Sequence, residues 1–134
     1  MLAEGEILVE IRISIPLTAV ESISYYYKVG QRKALAISIA SMAVCLQMAQ
    51  DGTVLVAKFA WGSVSPRVMV FPELDQSLLG EKLTEDSLRN LGTLVSRQVT
   101  PIDDLRASAE YRRVVVANLP IKLLAEFKAM REQL

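Results

Sequence analysis

Lys28, Arg32 and Lys33 bring three cationic side chains within six positions, directly behind the consecutive tyrosines Tyr25, Tyr26 and Tyr27 and around Gly30. Lys and Arg donate charge-assisted hydrogen bonds to phosphates and carboxylates, so a turn of this composition is able to hold an anionic ligand or a partner's acidic side chains. The same residues also fit a basic turn that is simply solvated. Arg32 and Lys33 are therefore either an anion or interface contact or a solvated pair.

A second dense group contains Asp103, Asp104, Arg106, Tyr111, Arg112 and Arg113. Adjacent carboxylates can do acid–base chemistry, but no histidine or metal-ligand set accompanies these. With no histidine and a single cysteine, Cys45, the chain cannot by itself build a zinc site, an iron–sulfur cluster, a Cys–His nucleophile pair or a Ser–His–Asp triad. The charged group is read instead as a capping and salt-bridge network that docks the last helix. Cys45 lies inside an apolar run and reads as an inert buried thiol. The six glycines are scattered, and none form a loop that cradles a phosphate.

Two layers must position these groups. Residues 6–13 alternate Ile7, Val9, Ile11 and Ile13 with Leu8, Glu10 and Arg12, which predicts a strand. Residues 14–19, with Pro16, form a connection or an edge. Residues 22–28 predict a second strand with Ile23, Tyr25 and Tyr27 on one face. Residues 34–48 are apolar on both faces and predict a central, covered strand. Asp51-Gly52 signals a hairpin into a strand over 53–61. Residues 67–71 read as one more short strand, and 73–79 as a helical turn or two stopped by Gly80.

Thr84 caps a predicted helix over 85–98, with Glu85 and Asp86 in its first turn and Leu88, Leu91, Leu94 and Val95 at helical spacing. Gly92 weakens that prediction. Ser108 caps a last helix with the stripe Tyr111, Val115, Leu119, Leu123, Phe127 and Met130. Pro120 inside it predicts a break near 116–119. Strands first and helices later give an α+β fold: an antiparallel sheet of about four strands, covered on one face by C-terminal helices.

The 134 residues amount to one domain, 1–134, able to bury roughly two-thirds of its unfolded surface. At 51% hydrophobic and 22% charged, the composition is that of a globular chain. Fifteen basic residues balance fifteen acidic ones, which argues against nucleic acid and anionic membranes as partners. The apolar run over 35–48 is too short for a membrane span, and the N-terminus lacks the pattern of a signal peptide. A lone cysteine forms no internal disulfide, and a cytoplasmic location is expected.

Four segments in order carry a family resemblance: GEILVEIRI at 5–13, YYKVGQRKALAI at 26–37, GSVSP at 62–66 and PIDDLRASAEYRR at 101–113. Together they resemble the C-terminal domain of the flavin subunit of molybdenum hydroxylases, the group of xanthine dehydrogenases and carbon monoxide dehydrogenases. That domain has the same sheet-and-helix arrangement. The resemblance implies FAD as cofactor, held mostly by a preceding FAD-binding N-terminal region that these 134 residues do not include.

It further implies molybdopterin and 2Fe-2S clusters on partner subunits, and hence an N-terminal FAD-binding domain, an iron–sulfur subunit and a molybdopterin subunit as partners. Carried over by position, Leu8 and Lys28 are the cofactor-binding residues. Leu8 would pack on the flavin or adenine, and Lys28 would reach a carbonyl or phosphate oxygen. Core packing for Leu8 and a solvated lysine for Lys28 fit the residues as well.

Gly30, Arg32 and Lys33 fall in a turn that governs access to the flavin in the resembled dehydrogenases. The acidic residues found near its end in the eukaryotic enzymes are replaced here by Ala34, Leu35 and Ala36, which leaves the electron acceptor open. An isolated chain of this kind is expected to be inactive. A stand-alone interaction or scaffold domain of the same fold, without cofactor contact, is the alternative reading.

Overall fold

Tyrosine, isoleucine and valine at alternate positions favour extended chain, and the first strand, β1 (Glu21–Val29), forms where they alternate with serines. The computed structural model describes residues 3–12, 21–32 and 36–131. β1 pairs antiparallel with β2 (Ala40–Met48), and β2 with β3 (Val54–Gly62), so β2 is the central strand of a three-stranded sheet in the order β1-β2-β3. The turn between β2 and β3 is the expected hairpin: Gly52 takes a φ of 86°, and Asp51 Oδ1 accepts from Thr53 N at 3.0 Å.

Register puts Tyr25, Val44 and Phe59 in one row and Tyr27, Met42 and Trp61 in the next, all on the face turned to the helices. Met42, Leu46, Met48 and Trp61 are wholly buried there. The opposite face carries rows of small residues, with exposed Tyr26 beside Ala43 and Ala60, and Ser24 beside Cys45 and Lys58. Cys45 is half-buried on this open face, not enclosed as expected. An alternating strand hides only one side.

The outer edge of β3 is closed by the next stretch of chain. Trp61 and Met69 exchange two backbone hydrogen bonds of 2.8 and 2.9 Å, and Val54 bonds Gly80 and Glu81. The expected strand over 67–71 reduces to that single bridge, with Val68 and Val70 exposed. Helix α1 (Pro72–Gln76) then presents the buried Asp75, whose Oδ2 accepts from the edge amide of Phe59 at 3.4 Å.

Helix α2 (Glu85–Gln98) begins on a capping box in which Thr84 and Ser87 exchange side-chain and backbone hydrogen bonds. It buries Leu88, Leu91 and Val95. Helix α3 (Ala109–Asn118) is capped by Ser108, and the expected break comes after it as a 3-10 turn, Leu119–Ile121, before α4 (Lys122–Arg131). Pro120 has no N–H to continue the ladder. Lys122 Nζ lies 5.9 Å from the centre of the Tyr27 ring, pinning the start of α4 to β1.

Three expectations need correction. Residues 6–12 are not a strand: Ile7, Leu8, Val9 and Ile11 are 65–85% exposed and pair with no other described residue. A strand exists only where a neighbour takes up its backbone groups, and alternation alone does not supply one. Among the described residues the sheet has three strands, close to the expected count of about four. The central strand starts at Ala40, not 34, because its partner β1 ends at Val29, opposite Ala40.

Finally, Arg112 and Val116 face inward on α3 while Tyr111 is half-exposed, although Leu119 and Leu123 are buried and Val115 and Phe127 pack on the core as the expected stripe requires. Ile13, residues 14–19, Lys33, Ala34, Leu35 and the side chain of Met130 lie outside the described residues. No helix among the described residues is long and apolar enough to cross a membrane.

Candidate functional site

β1 ends in the basic turn, and contacts from three directions shape it. Lys28 Nζ donates to the Ala36 carbonyl at 3.1 Å, joining the two sides of the turn. A Cβ on Gly30 would stand 2.8 Å from the Ala36 Cβ, well inside the separation at which carbons pack. Glycine is needed here for close approach. Gln31 Nε2 donates to the Arg106 carbonyl at 3.2 Å and ties the turn to the connector before α3. Gln31, Arg32, Ala36, Ile37 and Arg106 line a cavity of about 260 Å³.

Beneath this turn lies an arginine bracket. Arg112 is only 3% exposed, and its guanidinium is planar with donors on several sides. Nη1 donates to the Ile39 carbonyl at 2.5 Å and to the Ser63 carbonyl at 2.8 Å, and Nη2 to Asp104 Oδ1 at 2.7 Å. One side chain thus joins the entry of β2, the exit of β3 and the connector. Ser63 supplies its carbonyl from a left-handed backbone, φ 63°.

Asp104 also accepts from the amides of Arg106 and Ala107 and from Arg106 Nε, at 2.8, 3.1 and 2.9 Å. The Arg106 amide foremost, then the Ala107 amide and the two guanidiniums, hold its carboxyl well below the usual carboxylate range. Asp103 Oδ1 accepts from Ala109 N at 2.6 Å and helps cap α3. The two carboxylates serve capping and ion pairing, as the sequence indicated.

Lys28, Gly30 and Arg32 therefore meet at one end of the sheet, joined by Gln31 and Arg106. Sequence reasoning did not place Arg106 at the turn, since residues 31 and 106 meet only through the fold. Leu8 stands apart on the exposed segment, and no hydrogen bond ties it to the turn among the described residues. A second cavity, of about 390 Å³, lies at the open face and is lined by Ala43, Cys45, Lys58, Ala60, Val70 and Asp75.

The residues fit a partial FAD contact. The Lys28 ammonium uses one of its three donors on Ala36 and is exposed, which leaves donors for a carbonyl or phosphate oxygen. Leu8 offers 65% of its surface for packing. One lysine and one leucine would contact a flavin without enclosing it.

Comparison with known proteins fits this architecture. The glyceraldehyde dehydrogenase medium chain of Sulfolobus acidocaldarius is 28% identical over 123 residues, which cover 92% of this chain and 42% of that one. Reconstituted CO dehydrogenase from Oligotropha carboxidovorans contains a chain that superposes with a TM-score of 0.69 at 23% identity, over 75% of this chain and 35% of that one.

CO dehydrogenase from Hydrogenophaga pseudoflava, in a form lacking the Mo-pyranopterin moiety of its molybdenum cofactor, gives 0.71 at 23% identity, over 81% of this chain and 37% of that one. Quinoline 2-oxidoreductase from Pseudomonas putida 86 gives 0.70 at 20% identity, over 84% and 38%. The structural likenesses speak for the fold, and the chain spans less than half the length of each of these proteins. Residues 25–127, well over half of the chain, match the CO dehydrogenase flavoprotein C-terminal domain, and the chain belongs to that family.

Proposed function

We propose that this chain serves as the C-terminal domain of the FAD-binding subunit of a xanthine dehydrogenase-like molybdenum hydroxylase. It closes one side of the flavin and docks against an N-terminal FAD-binding domain, an iron–sulfur subunit with 2Fe-2S clusters and a molybdopterin subunit. Bound flavin would supply the redox chemistry. The chain's own part is to bind and orient. Lys28 hydrogen-bonds a flavin or phosphate oxygen, Leu8 packs against a ring, and the turn from Gly30 through Arg32 to Lys33 borders the approach to the flavin.

The observation that carries this reading is the Lys28 ammonium, fixed at the end of β1 by Ala36 with donors to spare, inside the family-matched stretch. In the assembled enzyme, Lys28→Ala removes one charge-assisted hydrogen bond and weakens flavin retention by about tenfold or more. Flavin content after gel filtration measures it; retention equal to wild type removes Lys28 from the site.

The alternative, an interaction domain of the same fold with no cofactor contact, draws on the exposed Ile7, Leu8, Val9 and Ile11 and on the open face around Tyr26. Co-elution with the matching FAD-binding polypeptide without any change in flavin retention would favour it.

A further inference from the structure

We propose that the cavity between the exit of β3 and the connector before α3 binds a small phosphate-class oxyanion. Its volume is about 260 Å³, and its polar lining includes Ser63, Ser65, Thr100, Asp104, Arg106 and Arg112. That is several times the ~30 Å³ share of a water molecule, and below the ~300 Å³ at which sites for drug-sized ligands begin. The size suits one compact anion.

The hydrogen-bond inventory decides the sign of the ligand's charge. Two guanidiniums share one carboxylate in this lining, Arg106 through Oδ2 and Arg112 through Oδ1 of Asp104. Asp104 already accepts from two backbone amides and from both arginines, which fills the lone pairs of a carboxylate. Asp103 is not in the lining, and its Oδ1 is occupied at the cap of α3.

Donors remain in excess. Arg106 bonds Asp104 through Nε and Nη2 and keeps Nη1 free of it. Ser65 Oγ and Thr100 Oγ1 lie 2.8 Å apart and need one proton between them, so one hydroxyl proton is left to donate.

A tetrahedral oxyanion accepts from Arg106 Nη1 and from the spare hydroxyl proton at once, and arginine pairs with phosphate in a forked geometry. This site is separate from the Lys28 turn and shares only Arg106 with the cavity there. It stands whether or not the chain contacts a flavin.

Isothermal titration of the 134-residue chain with inorganic phosphate, at ionic strength held constant with chloride, tests it. One saturable site is expected, weakened about tenfold or more in Arg106→Gln, the effect of losing one charge-assisted hydrogen bond. Ser65→Ala, which leaves both arginines in place, is expected to weaken binding several-fold. A parallel titration with adenosine monophosphate distinguishes the source. Equal affinity identifies the free anion as the ligand, and tighter binding, lost in the same variants, identifies the phosphate of a nucleotide. No saturation up to about 10 mM phosphate, or affinity unchanged in both variants, overturns the proposal.

Discussion

The Arg112 guanidinium bonds two carbonyls and a carboxylate where almost no water reaches. Arg112→Met keeps the bulk but strands the Ile39 and Ser63 carbonyls. Removing one partner of a buried pair costs about 3–5 kcal/mol, and urea unfolding is expected to show a loss of that size. Arg112→Lys recovers only part, because one ammonium on a flexible stem does not span three oxygens that lie on different sides.

Two carboxylates act on stability with opposite signs. Asp104 has its folded pKa depressed, so its contribution is present above the ordinary carboxylate range near pH 4 and is lost as the pH falls through the folded value. Asp75 has its folded pKa raised, first by burial, so ionising it disfavours the fold and stability declines as pH rises through that range. Asp75→Asn is expected to be at least as stable as wild type at pH 7, with the difference closing near pH 3. Asp75→Ala leaves the Phe59 amide unpaired and is expected to lose about 1–3 kcal/mol at either pH.

Packing between elements sets the next constraint. A glycine inside a helix such as α2 normally costs about 1 kcal/mol relative to alanine. At Gly92 the sign reverses, because an added Cβ would run into the Ala117 carbonyl oxygen of α3. Backbone on both sides has little room to yield. Gly92→Ala is expected to destabilise the fold by about 1–3 kcal/mol, read from the thermal midpoint, despite the better helix former. Thr84→Ala, which breaks the capping box at the start of α2, is expected to cost about 1 kcal/mol by the same measurement.

For the molecule as a whole, the helices cover one side of the sheet and, among the described residues, leave the other open, while Ile7, Leu8, Val9 and Ile11 lie exposed before it in sequence. An exposed apolar stretch of this kind is suited to meeting another chain or domain. Mixing the chain with the FAD-binding polypeptide of such an enzyme is expected to give co-elution on gel filtration and better-retained flavin. No association, with flavin held equally well by that polypeptide alone, would remove the proposed role.

Much of the fold was legible because its signals are local. Thr84 and the leucine spacing set both ends of α2, Asp51-Gly52 set the hairpin, and Pro120 set the break after α3. The basic turn was legible too, as a run of residue types around one glycine. Tertiary structure decided what depends on a neighbour distant in the chain. Residues 6–12 alternate as a strand does, yet stay unpaired because no described segment lies beside them. β2 begins only where β1 can reach it. Arg112, one charge among several in the sequence, became the buried bracket because two strand ends and Asp104 converge on it, and convergence leaves no mark in spacing.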